Sequence, residues 1–277
     1  MTPASRRLAI SNIAWDAAED DAAAAVVRRC GATGVEIAPT KWRDDPLDAS
    51  PADVAAYRRG WEERGLSIVS LQSLLFGRPD LQLFGDFAPR SAFIDYLRRT
   101  IDLAAALGAR SLVFGSPKNR VRGALALADA IAIATDAFRE IGQHAHECGT
   151  ALCIEANPPA YGCDFITTTI EAADLCRAID HPGVRVNGDL GGITMAGESA
   201  VSAVEYAAPY LAHFHASEPN LAELGTGTPP ADHTAAERAL KAAGYDGWVS
   251  VEMRAAGAGM NIEAVERALP RARELYK

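Results

Sequence analysis

The chain has 277 residues, 49% of them hydrophobic, and a formal net charge of −9, which is ordinary for a globular protein. This acidic balance argues against nucleic acid and anionic membranes as partners, because both attract a basic surface. Five cysteines without a CxxC spacing favour free thiols in a reducing cytosol. No long apolar run follows Arg6 and Arg7, so we expect no signal peptide and a cytoplasmic location.

Strand-like apolar runs alternate with amphipathic helical stretches from one end of the chain to the other. In chain order, the predicted strand and helix pairs are 8–13 and 18–30, 34–38 and 51–64, 66–73 and 90–107, 110–115 and 123–148, 151–156 and 168–180, 184–189 and 198–208, 211–216 and 234–243, and 248–253 and 261–275.

This alternation allows either a closed barrel or an open doubly wound sheet. The count of eight strands and eight helices favours the barrel. The first strand is not followed by the glycine pattern of a dinucleotide fold, which points the same way. We therefore predict an α/β protein whose residues 1–277 form a single (β/α)8 TIM-barrel domain.

Four polar residues lie at or near the ends of the last four predicted strands. Glu155, Asp189, His215 and Glu252 close the runs ALCIE, VRVNGD, LAHFH and WVSVE. The spacings between them are 34, 26 and 37 residues, about the length of one βαβ repeat. Equivalent positions in consecutive repeats predict that the four side chains meet at one place.

Strand parity puts these side chains on one face. Residues such as Leu152 and Ile154 would pack against the helices, and Cys153 and Glu155 would point into the barrel. By the same alternation His213 lies one layer below His215, where a packed or supporting role is expected.

Three carboxylates and one imidazole pointing into the same barrel mouth would repel one another without a cation. Hard or borderline divalent metals suit this mixed donor set. We therefore predict one metal site. Mn²⁺ is the first choice, followed by Co²⁺, Mg²⁺ and Zn²⁺, and no organic cofactor is expected.

The segments around these residues read IEANPP, NGDLGG, HFHASEP and VSVEMR. With them, essentially the whole chain resembles the xylose-isomerase-like sugar isomerase and epimerase superfamily. The resemblance implies a (β/α)8 barrel whose metal is held by Glu155, Asp189, His215 and Glu252.

The resemblance also implies a mechanism. The metal holds two adjacent oxygens of a small sugar or other polyhydroxy carbonyl compound and stabilises an enediolate. Glu155 and Glu252 would be the catalytic acid/base pair, one removing a carbon-bound proton and the other returning it.

Three positions depart from the pattern of the ketose 3-epimerases in this superfamily. Gly192 stands where those enzymes carry a substrate-binding His, Tyr161 replaces a second Glu, and Leu221 replaces an Arg. The metal ligands are thus kept without the residues that bind the sugar. Further substrate-binding candidates come from strand ends and loops, and with Tyr161 the set is Gln72, Lys118, Arg120, Tyr161, Glu218 and Arg254.

Alternatives remain open at this point. A dehydratase would use the same enolate to expel a β-hydroxyl group, and a non-catalytic metal-binding subunit of a biosynthetic complex would need no sugar-binding residues. Endonuclease IV shares the barrel but needs a trinuclear zinc site with many more histidines than the six present here. The sequence leaves the homo-oligomeric state, dimer or tetramer, open.

Overall fold

A computed structural model describes residues 6–277 and shows a closed barrel of eight parallel strands. Each strand pairs with its neighbours in sequence, and β1 pairs with β8 to close the ring. The α/β barrel prediction is therefore confirmed. The strands are β1 Arg7–Ser11, β2 Gly34–Ile37, β3 Ser67–Leu71, β4 Ser111–Phe114, β5 Ala151–Glu155, β6 Val184–Asp189, β7 Leu211–Ser217 and β8 Trp248–Glu252.

The helices surround the barrel, and each predicted helix is present with its bounds shifted by a few residues. They are α1 Asp20–Arg29, α2 Pro51–Glu63, α3 Phe87–Leu107, α4 Leu127–Glu147, α5 Thr169–Ile179, α6 Leu190–Met195, α7 Ala200–Ala207, α8 His233–Ala242 and α9 Asn261–Leu275. The short helix α6 was not predicted. It begins directly after β6, where the Asp189 side chain caps it by accepting the N–H of Gly192.

The main apolar core lies between the strands and the helices. Phe93 of α3, Phe114 of β4 and Phe138 of α4 are fully buried there, with ring centroids 5.3–6.4 Å apart in edge-to-face contacts. Such pairs add roughly 0.5–1.5 kcal/mol each beyond the burial of their area. This layer fixes the outward face of each strand, so the alternate residues must point into the barrel.

The loops that follow the strands meet at the carboxyl end of the barrel, where enzymes of this fold carry their active sites. Several non-glycine residues in these loops adopt left-handed backbone conformations, among them Ser73, Ser116 and Asn220. Such conformations cost on the order of 1–3 kcal/mol each and tend to occur at functional sites. From Arg6 onward, no helix is both long and apolar enough to cross a membrane.

Candidate metal centre

The four residues predicted to meet at the barrel mouth do come together. One ligand atom each from Glu155, Asp189, His215 and Glu252 lies within 4.8 Å of the other three. His215 Nδ1 is 3.2 Å from Glu155 Oε1 and 3.1 Å from Glu252 Oε2. We call these four residues the quartet.

Hydrogen bonds from neighbouring residues hold two of the quartet carboxylates. Asn187 Nδ2 donates to Glu155 Oε1 at 2.7 Å. Asp189 accepts the Gly192 N–H at 2.8 Å through Oδ2 and the Ser217 hydroxyl through Oδ1. The carboxylates are therefore oriented before any ligand enters. In metal sites, hydrogen bonds from neighbouring residues orient the ligating groups in this way.

Two glycines allow these close approaches. A Cβ added at Gly115 would overlap Glu155 Oε2, and one at Gly192 would lie 2.8 Å from Asp189 Oδ2. Gly192 is the position where the ketose 3-epimerases carry a histidine. Here the backbone is too close to Asp189 for a side chain to fit without displacing that carboxylate.

The electrostatics of the quartet show an excess of negative charge. Burial, together with the charges of Glu155 and Glu252, raises the pKa of Asp189 to about 7. Burial also raises the pKa of Glu252. In His215 burial opposes the charged form, but Glu36 and Glu252 outweigh it and raise its pKa well above the usual value. A divalent cation would relieve this repulsion, and the oxygen and nitrogen donors are ones that Mn²⁺ and similar ions accept.

Glu36 on β2 is a part of the site that the sequence reasoning missed. It is completely buried, and its carboxylate lies 3.0 Å from His215 Nε2 and 2.7 Å from His213 Nε2. Because Glu36 engages Nε2 of His215, Nδ1 faces the quartet. His213 therefore has the supporting position expected for it. The sequence feature that could have revealed this residue is a lone glutamate between the outward-facing Val35 and Ile37.

Two substrate-binding candidates are buried and already bonded to the protein. Gln72 is 3% exposed and donates to the Ser11 hydroxyl. Arg120 is 1% exposed, and its Nη2 donates to the main-chain oxygen of Glu155 at 2.7 Å, so it supports the strand that carries this carboxylate.

Three further candidates lie at the rim. The Tyr161 hydroxyl accepts the Asn220 N–H at 3.1 Å. Burial raises the pKa of Tyr161, and the charges of the quartet carboxylates add to the shift. Lys118 and Arg254 are exposed. Arg254 lies beyond the end of β8, where its N–H donates to the main-chain oxygen of Leu221 at 3.0 Å.

Glu218, the sixth candidate, anchors the loop that follows β7. It is 1% exposed, and its carboxylate accepts the N–H of Gly225 at 2.6 Å and of Ala231 at 2.9 Å. His233 Nε2 lies 3.1 Å from the same carboxylate, and its Nδ1 lies 2.8 Å from the Tyr276 hydroxyl. Helix α8 begins at His233.

Comparison with known proteins agrees with this architecture. The family profile described as xylose isomerase-like TIM barrel matches residues 24–275. A D-psicose 3-epimerase of Ruminiclostridium cellulolyticum is 30% identical over 117 residues. That alignment covers 42% of this chain and 39% of the relative, so the match spans well under half the length of that enzyme.

Solved structures align over nearly the whole chain. D-psicose 3-epimerase with D-tagatose from Clostridium cellulolyticum H10 aligns with a TM-score of 0.81 and 17% identity, covering 97% of this chain and 99% of that one. Apo 3-keto-D-glucoside 4-epimerase from E. coli aligns with a TM-score of 0.78 and 19% identity, covering 97% and 99%. At these identities the likeness establishes the fold. The family profile, by contrast, matches most of the sequence and so establishes family membership. The chain belongs to the xylose isomerase-like TIM barrel family.

Proposed function

We propose that this protein is a divalent-metal-dependent isomerase or epimerase of a small sugar or related polyhydroxy carbonyl compound. The observation that carries the proposal is the placement of two glutamates around one point. Glu155 of β5 and Glu252 of β8 reach the same nitrogen of His215, at 3.2 Å and 3.1 Å, from strands that are not neighbours in the barrel. Two carboxylates that flank one point can serve opposite faces of a substrate carbon.

The quartet suits a metal by its donor types and its convergence. Glu155, Asp189, His215 and Glu252 would hold the ion, with Mn²⁺ the first choice. When bound, a divalent cation supplies positive charge that stabilises negative charge developing on substrate oxygens. The 3-epimerase names among the relatives support a carbohydrate as substrate.

The residues of the chain would then move one proton. One glutamate removes the proton bound to the carbon beside the carbonyl group, and the bonding electrons pass to the carbonyl oxygen. The other glutamate returns a proton to the opposite face, which inverts that carbon. The side chains of Glu155 and Glu252 are only 13% and 11% exposed, so few water molecules reach the reacting atoms.

A metal-dependent dehydratase is the second candidate, and Tyr161 favours it. Its hydroxyl accepts a hydrogen bond from Asn220, and burial raises its pKa, so the phenol keeps its proton. At the rim of the same barrel mouth as the quartet, it could donate that proton to a departing substrate hydroxyl. Tyr161→Phe should then slow loss of water far more than proton exchange.

Incubation in D₂O with Mn²⁺ and a panel of ketoses and keto-polyols tests the proposal. We expect deuterium at a single carbon of the recovered substrate together with an epimer or isomer. Formation of an unsaturated product would instead support the dehydratase. Purified protein that retains no divalent ion after metal loading would contradict both candidates.

A further inference from the structure

A second group of metal-ligating side chains lies on the outside of the barrel, in the groove between α3 and α4. Asp102 belongs to α3, His144 to the last turn of α4, and Cys148 directly follows α4. The carboxyl-terminal ends of these helices lead into β4 and β5, so the group lies at the opposite end of the barrel from the quartet.

The three donor atoms meet at one point. His144 Nε2 is 2.7 Å from Asp102 Oδ1, and Cys148 Sγ is 3.7 Å from that oxygen and 3.8 Å from that nitrogen. A Cys–His–Asp relay would place the thiol and the carboxylate on opposite ring nitrogens. Here the Cys148 thiol and the Asp102 carboxylate both approach Nε2 of His144. This excludes the relay in this arrangement and favours one ion bound by all three side chains.

The separations are close to those of a tetrahedral site. Zinc bonds of about 2.0–2.1 Å to nitrogen and oxygen and about 2.3 Å to sulfur place sulfur about 3.5 Å from either other donor. The observed 3.7 Å and 3.8 Å need almost no adjustment. The N–O pair would open from 2.7 Å to about 3.3 Å, a side-chain rotation that the 59% exposure of Asp102 allows.

The surroundings leave room for an ion. His144 lines a groove with Arg98, whose guanidinium is paired with Glu140 at 3.4 Å, and Asp102 lines a second groove, between α2 and α3, with Arg99. His144 and Cys148 are four residues apart and so lie on one face of the helix. A water molecule from the exposed side could complete four-coordination.

We propose that Asp102, His144 and Cys148 form a second metal site, selective for borderline divalent ions such as Zn²⁺ and Co²⁺. Thiolate and imidazole prefer these ions to Mn²⁺ or Mg²⁺, which suit the quartet. A bound ion would join α3 to α4, two helices of 21 residues each. The site goes beyond the proposed function, because it depends on neither the quartet nor the reaction.

Cobalt titration of metal-free protein tests this site directly, because the quartet contains no sulfur. We expect a thiolate-to-cobalt charge-transfer band whose final intensity corresponds to one cobalt ion bound through sulfur per chain, whether or not the quartet also takes up cobalt. Cys148→Ser should lose the band, and His144→Gln should lose most of it. Cys30→Ser is the matched control, since Cys30 is also partly exposed but belongs to no such group within residues 6–277, and it should keep the band.

A measurement on the wild-type protein makes the test independent of how the variants fold. Zn²⁺ should protect Cys148, but not Cys30, from alkylation as followed by mass spectrometry. Three outcomes would overturn the proposal: absence of the band in wild-type protein, its persistence in Cys148→Ser, or equal alkylation of Cys148 with and without zinc.

Discussion

Asp189→Asn should make the metal-free protein more stable at alkaline pH while removing its response to metal. In the folded protein, burial and the neighbouring carboxylates raise the pKa of Asp189 from 3.8 to about 7. A shift of about 3 pKa units corresponds to about 4 kcal/mol when the group is ionised. Sharing of the proton among the coupled carboxyls makes this an upper bound.

The direction in which the free energy of unfolding changes with pH follows from proton binding. Between about pH 4 and pH 7 the folded protein keeps a proton that the unfolded chain releases, so its free energy of unfolding falls as pH rises through this window. Asn keeps the shape and can still accept the Gly192 N–H, but it has no charge to desolvate. At pH 8 we therefore expect the variant to be more stable than wild type by up to about 4 kcal/mol.

Urea unfolding in the presence of a chelator, from pH 5 to pH 8, measures this difference. Addition of Mn²⁺ should stabilise wild type and leave Asp189→Asn unchanged. Asp95→Asn, at an exposed position on α3, is the matched control and should follow the wild-type curve. Equal stability of Asp189→Asn and wild type at pH 8, or parallel pH profiles, would refute the reasoning.

Three further variants test the site. Glu252→Gln should abolish turnover with an unchanged circular dichroism spectrum, and full activity would remove this residue from the mechanism. Glu36→Gln should weaken Mn²⁺ binding about 10–100-fold in a competition titration, since it changes the buried partner of His215, the proposed imidazole ligand; an affinity within twofold of wild type would contradict this role. Gly115→Ala should displace the Glu155 carboxylate and weaken both metal binding and activity, whereas Gly60→Ala on α2 meets only the flexible end of Arg64 and serves as control.

The barrel and the quartet could be predicted because both follow from repetition. Each of the last four strands is an apolar run with a polar residue at or near its end, and Glu155, Asp189 and Glu252 are the last residues of theirs. Parity then fixes the direction of each side chain. Glu36 sits in a four-residue strand, where one glutamate makes too short a pattern to recognise.

The environment of the remaining candidates depends on contacts between distant segments. A strand-end position suggested that Gln72 and Arg120 face the substrate, but Ser11 and the main chain of Glu155 already bind them. Those partners lie 61 and 35 residues away in sequence, and no local pattern encodes them. Helix α6 was missed for a different reason, since six residues with two glycines have little intrinsic helical preference.

The loop after β7 is held by hydrogen bonds within itself, so the sequence at its tip and the stability of the barrel can vary separately. Glu218 closes the loop on itself through Gly225 and Ala231, and His233 ties that closure to Tyr276 near the carboxyl terminus. Within this loop Pro219 and Leu224 are buried and Glu223 pairs with Arg267, whereas residues 220–222 are at least partly exposed. Other sequences could therefore be grafted into 220–222 to alter the preference of the proposed enzyme for its substrate, with the buried and paired residues on either side kept.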